Sequence, residues 1–96
     1  MRRYELVAII SPQVPDDEVS DAYDRLIRKP IEGQGGSCDE VNHWGRRKLA
    51  YPIGKHLEGS YVLTNFQIEP GATKELERGL HISEEVLRHL LIRLDG

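Results

Sequence analysis

The chain begins with a nearly continuous apolar run and then changes to a spaced apolar pattern. Tyr4 to Ile10 is short and rich in β-branched residues, which is typical of a central strand. After a break from Ser11 to Pro15, apolar residues recur three and four positions apart: Val19, Ala22, Tyr23, Leu26 and Ile27. This spacing predicts an amphipathic helix, whose first turn suits the proline and the acids that precede it. Pro30 should end or kink this helix, because proline lacks an amide proton and its ring clashes with the preceding turn.

The second half of the chain predicts two long strands, a short helix and a last strand. Ser37 to Ile53 and Ser60 to Ile68 have the composition of strands, and Gly54 to Gly59 forms a polar hairpin loop bounded by glycines. Three apolar residues spaced four apart then mark a second helix: Ala72, Leu76 and Leu80. The last strand is Val86 to Leu94.

The predicted order of elements is β-α-β-β-α-β. With right-handed crossovers, this order gives the ferredoxin-like plait, an α+β fold with a four-stranded antiparallel sheet and two helices on one face. A chain of 96 residues makes one domain, so we expect residues 1–96 to form a single unit. The uncovered face of the sheet is then free to meet a partner, although the fold alone names no function.

Positive charge is concentrated in one segment of an otherwise acidic chain. Arg46, Arg47 and Lys48 are consecutive, and no acidic residue occurs from Val41 to Leu57, although the net charge is -3. Local concentration of charge decides whether a surface can hold a polyanion, so the segment favours a binding protein with RNA as its partner. The nearby Trp44 adds an aromatic group of the kind found at nucleic-acid and protein interfaces.

Strand alternation divides this segment between two sides. One side takes Arg46, Lys48, Ala50 and Pro52, and the other takes Arg47, Leu49, Tyr51 and Ile53. A purely structural role is the alternative, because charges and a proline also protect an edge strand from unwanted strand addition.

Other classes of function find less support in the sequence. The four histidines follow no zinc-ligand spacing, and no serine or cysteine is arranged with a histidine as an activated nucleophile, so we expect no enzyme, no cofactor and no small-molecule substrate. Ser60 and Val62 occupy positions where an RRM-type sheet would need stacking aromatics, which disfavours that mode of RNA binding. The second hypothesis is a protein-interaction or small-ligand regulatory module that self-associates through its open sheet face or an exposed strand edge.

The expected compartment follows from two further features. Leu6 to Ile10 is too short for a signal-peptide core or a membrane span. The single Cys38 excludes an internal disulfide and fits a reducing environment. We therefore expect a cytoplasmic protein with no membrane partner.

Several motifs occur together along the chain. The most specific motif runs from Trp44 to Ile53, WGRRKLAYPI, and Glu58 to Leu63 follows it as EGSYVL. The start MRRYE, the Gly35-Gly36 turn and the segment Glu85 to Arg88 accompany them. In order and spacing these motifs resemble the family of the sixth protein of the bacterial small ribosomal subunit, and the resemblance covers nearly the whole chain.

The resemblance implies the ferredoxin-like fold and a non-catalytic role. It also implies that the chain pairs with small-subunit ribosomal protein eighteen and that the pair binds the central domain of the small-subunit rRNA during assembly of the platform. The residues expected to contact RNA or the partner are Arg2, Arg3, Arg46, Arg47, Lys48, Tyr51, Lys55 and Arg88.

The sequence departs from the family pattern in three places. The end of the second helix has fewer arginines than is usual, and His81 stands there instead. Pro30 interrupts a helix that usually continues. The chain stops at Gly96, where many relatives carry a further tail, so we expect no partner contact from such a tail.

Overall fold

The computed structural model describes residues 1–94 and has the predicted order of elements. The four strands are β1 (Arg2–Ile10), β2 (Ser37–Ile53), β3 (His56–Ile68) and β4 (Val86–Arg93). All pairings are antiparallel, in the order β2-β3-β1-β4, which confirms the ferredoxin-like plait. Asp95 and Gly96, at which the predicted domain ends, lie outside the described residues.

The first helical segment continues past Pro30, so of the two predicted effects of this proline, an end or a kink of the helix, the end is wrong. A 3-10 turn at Asp16–Glu18 leads into α1 (Val19–Tyr23), and α2 (Lys29–Gly33) carries the proline near its start. Between α1 and α2, Asp24–Arg28 forms a wider π-helical turn, in which the Lys29 amide donates to the Asp24 carbonyl. A turn of this kind is a common way for a helix to absorb a local irregularity. Here it lies directly before the position where proline cannot donate.

Ion pairs bracket this wide turn. The Arg28 Nε donates to Asp24 Oδ1 at 2.9 Å, and its Nη1 donates to Glu32 Oε1 at 3.1 Å. Both pairs have i,i+4 spacing, and oppositely charged side chains at this spacing favour a helix. The hydrogen bond to Asp24 raises the pKa of Arg28, so this cation stays charged at any physiological pH.

The second helix, α3 (Thr73–Ile82), follows a 3-10 turn at Pro70–Ala72, close to the predicted position. The Thr73 hydroxyl donates to the Pro70 carbonyl at 2.8 Å and closes this turn. Leu76 and Leu80 are buried in the core, as their four-residue spacing predicts.

The core lies between the helices and one face of the sheet. Alternate residues of β1 and β3 point into it and are fully or almost fully buried: Leu6, Ala8, Ile10, Val62, Thr64 and Phe66. Burial of apolar area at this face is the main source of the fold's stability. Ser60 and Val62 lie on this covered face, so they do not occupy the positions where an RRM-type sheet would need stacking aromatics, and that prediction is wrong. The outward positions of β3 are instead Tyr61, Leu63 and Asn65.

One polar network crosses the core. Thr64 Oγ1 donates to the Tyr23 hydroxyl at 2.9 Å, and that hydroxyl donates to Cys38 Sγ at 4.0 Å. Burial raises the pKa of Tyr23 above its ordinary value of 10.0, and the hydrogen bond with Thr64 only partly offsets this effect. Tyr23 therefore remains neutral at physiological pH and ties the helix to β3 and β2.

Candidate interface for RNA and protein

The basic segment lies on a hairpin that projects beyond the rest of the sheet. β1 pairs with β3 only from Ser60 to Ile68, whereas β2 and β3 continue to pair up to Ile53 and His56. The predicted loop from Gly54 to Gly59 is therefore wrong in length. Gly54 has a φ of 59°, which glycine adopts readily, so a two-residue turn suffices and the polar residues after it join β3.

The projecting part of β2 bulges over the open face of the sheet. Its register with β3 is interrupted between Lys48 and Ile53, so four residues of β2 face a single residue of β3. Pro52 lies within this bulge, where its missing amide proton costs no ladder hydrogen bond. The bulge turns Leu49 inward, and this side chain is only 8% exposed although the strand lies at the edge of the sheet.

An apolar cleft of about 270 Å³ results from this packing. All four strands contribute to its lining. β1 contributes Val7 and Ile9, β3 contributes Tyr61, β4 contributes Leu90, and the bulge of β2 contributes Leu49, Ala50 and Tyr51. Leu49, Tyr51 and Ile53 all line this cleft, but Ala50 lines it too, so the predicted strict alternation is wrong within the bulge.

Exposed apolar groups surround the cleft. Tyr51 is 53% exposed and Leu90 is 55% exposed, and Ile92 continues the row along β4. The Arg88 guanidinium lies 5.7 Å from the centre of the Tyr51 ring, a cation–π contact across the mouth of the cleft. An apolar surface with a cationic rim has the character of a protein interface.

The Arg46 side chain is fixed by ion pairs and hydrogen bonds within the protein. Its guanidinium donates to Asp16 Oδ1 at 2.9 Å and to Glu58 Oε1 at 3.1 Å, with weaker contacts to the Pro12 carbonyl. These hydrogen bonds, that to Asp16 first, raise the pKa of Arg46. Arg46 therefore fixes the hairpin to the loop before the first helix, and its charge is largely balanced there.

Arg47 lies on the opposite side of the strand, as alternation predicts. Its guanidinium is 5.3 Å from the centre of the Trp44 ring, and Trp44 in turn stacks on Tyr61 at 6.4 Å between ring centres. The sequence suggested that Trp44 matters but gave no reason to include Tyr61. Its outward position on β3 could be inferred only after the register of the sheet was known.

Lys48 and Lys55 complete the cations of the hairpin. Lys48 pairs along the ladder with Glu58, and Lys55 occupies the turn at the tip. Together with Arg47 they form what we call the hairpin cations: Arg47, Lys48 and Lys55.

Arg2 and Arg3 lie at the other end of the sheet. β1 begins at Arg2, and its Ile9 pairs with Arg88 near the other end. Seven residues of an extended strand separate these ends by about 23 Å. The structure thus brings Arg88, Tyr51 and the hairpin cations together but places Arg2 and Arg3 apart, beside Arg93 at the end of β4.

The open face also carries negative charge, in its middle. Glu5 on β1 and Glu40 on β2 flank Asn65, which pairs with both. Glu40 accepts a hydrogen bond from Asn42 at 3.0 Å. A basic partner laid along this face would meet carboxylates as well as apolar groups.

The apolar lining was missed by the sequence analysis. Val7, Ile9 and Leu90 were assigned to strands but not to a site. The signal was present, because β1 and β4 are apolar on both faces although the helices cover only one. Such a strand predicts either a second covering layer or a partner.

Two further observations concern other kinds of site. Within residues 1–94, no cluster of three or more histidine, cysteine, aspartate or glutamate side chains could hold a metal ion. In the same part of the chain, no helix has the length and apolar character needed to cross a membrane.

Comparison with known proteins identifies the family. The family model described as ribosomal protein S6 matches residues 3–93. The small ribosomal subunit protein bS6 of Dehalococcoides mccartyi strain CBDB1 is 43% identical over 99% of this chain and 86% of its own. The bS6 protein of Caldanaerobacter subterraneus subsp. tengcongensis is also 43% identical, over 99% of both chains.

A solved structure agrees with the sequence relatives. The crystal structure of 30S ribosomal protein S6 from Thermotoga maritima has a TM-score of 0.89 and 35% identity to this chain. The match covers 97% of this chain and 87% of that one. The chain therefore belongs to the ribosomal protein S6 family, whose members are non-catalytic constituents of the small subunit of the cytoplasmic ribosome.

Proposed function

We propose that this chain binds the central domain of small-subunit rRNA jointly with small-subunit ribosomal protein eighteen, as a single-domain scaffold of the subunit platform. One observation carries the proposal: the hairpin cations project beside an open apolar cleft rimmed by Arg88. The hairpin supplies charge for RNA, and the cleft supplies a surface for a protein.

The division of roles follows from the contacts. Arg47, Lys48 and Lys55 make the RNA contacts, because they lie on the projecting end of the hairpin, where no acidic residue occurs from Val41 to Leu57. Tyr51 and Arg88 contact the partner together with Leu90 and Ile92, since these side chains surround the cleft. Arg46 holds the hairpin in place through Asp16 and Glu58. Arg2 and Arg3 form a separate RNA contact at the far end of the sheet.

Binding is cooperative in this proposal. A chain with a net charge of -3 and a few available cations gains little from counterion release, so alone it binds RNA weakly. A basic partner that covers the cleft and meets Glu5 and Glu40 adds its own cations to one continuous surface. The pair then binds RNA much more tightly than either protein.

The test is retention of central-domain rRNA at two salt concentrations, with and without the partner. The wild-type chain is compared with an Arg47→Gln/Lys48→Gln double variant and with an Arg78→Gln/Lys74→Gln control on α3. We expect tight, salt-sensitive retention only with the partner, and a loss of roughly tenfold or more in the hairpin variant but not in the control. Equal retention by the chain alone and by the mixture contradicts the proposal.

The competing hypothesis predicts a different result in the same samples. A self-associating module would use the same cleft for a second copy of the chain and form a stable homodimer that ignores RNA. Sedimentation of the isolated chain therefore separates the two hypotheses: we expect a monomer whose mass rises only when the partner is added.

A further inference from the structure

We propose that Trp44, backed by Tyr61 and flanked by Arg47, is a stacking site for one unpaired nucleobase. This inference rests on the RNA binding proposed above and specifies which part of the RNA the hairpin meets. The unpaired base stacks on the indole, and the Arg47 guanidinium contacts the adjoining phosphate.

The first support is the geometry of the aromatic pair. The rings of Trp44 and Tyr61 are inclined by only 17°, so they form a layered pair with parallel faces. Trp44 is 42% exposed although it sits in a strand that pairs on one side. An exposed indole supported by a second ring resembles the stacking platforms of single-strand binding proteins, which accept any base because every base has a π-face.

The second support is the backbone that presents Trp44. The register of β2 with β3 shifts between His43 and Gly45, which leaves Trp44 as the extra residue of a β-bulge. Gly45 has a φ of 81°, a conformation that glycine adopts freely and other residues adopt with strain. The bulge lets His43 pack on Tyr23 in the covered face while Trp44 turns toward Tyr61 on the open face. Bulges of this kind re-aim side chains at functional sites.

The third support is the contrast between two adjacent arginines. Arg46 is bound by Asp16 and Glu58, whereas no carboxylate lies within ion-pair distance of Arg47 in the part of the chain that the structure describes. Arg47 instead lies over the indole at 5.3 Å. A base that stacks on the indole in place of this guanidinium moves Arg47 to the edge of the ring, where its hydrogen-bond donors meet the phosphate attached to that base.

Single-strand preference is the consequence that distinguishes this site from a general basic patch. Bases in a duplex are already stacked and paired, so only an unpaired base can cover the indole. A contact limited to phosphates would bind duplex and single strand alike.

The test uses Trp44 as its own reporter, since it is the only tryptophan of the chain. The full chain is titrated at low salt with an eight-nucleotide oligoadenylate, with an octamer of the same charge that carries abasic sites, and with a short RNA duplex. We expect saturable quenching of the Trp44 fluorescence by oligoadenylate only. Absence of quenching, or equal quenching by the abasic octamer, overturns the proposal.

Variants separate stacking from charge. By anisotropy of a labelled oligoadenylate, Trp44→Leu should weaken binding by roughly tenfold, and Trp44→Phe should restore most of the loss because it keeps an aromatic face. Arg47→Gln should weaken oligoadenylate and abasic octamer alike. Unchanged binding by Trp44→Leu, checked for a native circular dichroism spectrum, contradicts the stacking site.

The positioning role of the bulge is tested by Gly45→Ala. We expect this variant to lose quenching while Arg47 still attracts the abasic octamer. If only the partner protein quenches Trp44, the ring is a protein contact and the inference is wrong. The rRNA retention described above can still succeed in that case, so failure of the stacking site and failure of the proposed function are distinguishable.

Discussion

The two faces of the sheet carry similar side chains but meet different surroundings. On the covered face, Leu6, Ile10 and Phe66 are fully buried beneath the helices. On the open face, Leu90 and Ile92 remain about half exposed, and the bulge of β2 covers only part of the remaining surface. The covered face thus supplies the apolar burial that stabilises the fold, whereas the open face retains apolar area that the chain alone does not bury.

The comparison gives different expectations for equivalent substitutions on the two faces. Phe66→Ala on the covered face should lower the free energy of unfolding by about 3–5 kcal/mol, because it removes a buried ring and leaves a cavity. Ile92→Ala on the open face should cost less than about 1 kcal/mol. Urea denaturation measures both. Similar losses in the two variants would show that the open face also contributes to folding.

Tyr23 offers a second test of the covered face, through pH. Because burial raises its folded pKa above 10.0, Tyr23 contributes stability that is fully present below pH 10 and is lost as the pH rises further. Tyr23→Phe should cost about 1–3 kcal/mol at pH 8, since it leaves the Thr64 hydroxyl unpaired in the core.

The variant should also lose less stability than wild type between pH 9 and pH 11. Urea denaturation at these two pH values checks both expectations. A wild-type chain whose alkaline loss of stability is unchanged by Tyr23→Phe would show that another group is responsible.

Leu90→Asn tests the open face for binding rather than folding. This change removes an apolar contact beside the cleft without changing the charge, so we expect the affinity for the partner protein to fall by roughly tenfold with little change in stability. Ile82→Asn is the matched control, because Ile82 is 73% exposed at the end of α3, away from the cleft. Calorimetric titration of the partner compares the two variants, and equal affinities would remove the cleft from the interface.

Much of the fold could be predicted because local patterns agree with the final packing. The four-residue spacing of Leu76 and Leu80 marks the side of the helix that faces the core, and the nearly continuous apolar run of β1 marks a central strand. The effect of Pro30 could not be predicted in the same way, because it depends on the hydrogen bonding of the preceding turn, which the identity of one residue does not reveal. The predicted hairpin loop is too long because polar residues can form part of a projecting β-ladder as well as part of a loop.

The candidate site was predicted only in part. The cations of the hairpin are contiguous in sequence, so their concentration was visible. The cleft combines Val7, Leu49 and Leu90 from three strands, and their meeting depends on sheet order and on the β2 bulge. The difference between Arg46 and Arg47 likewise depends on Asp16, thirty residues away. The different roles of these two adjacent arginines could therefore be recognised only from the structure.

The most direct measurement of the central claim is retention of central-domain rRNA by the Leu90→Asn variant in the presence of the partner protein. The account predicts that this variant, although its cations are intact, retains less RNA than wild type, while Ile82→Asn retains as much as wild type. Both variants alone should bind as weakly as the wild-type chain alone. If Leu90→Asn with the partner holds the RNA as tightly as wild type, the open face does not join the two proteins on the RNA, and the account is contradicted.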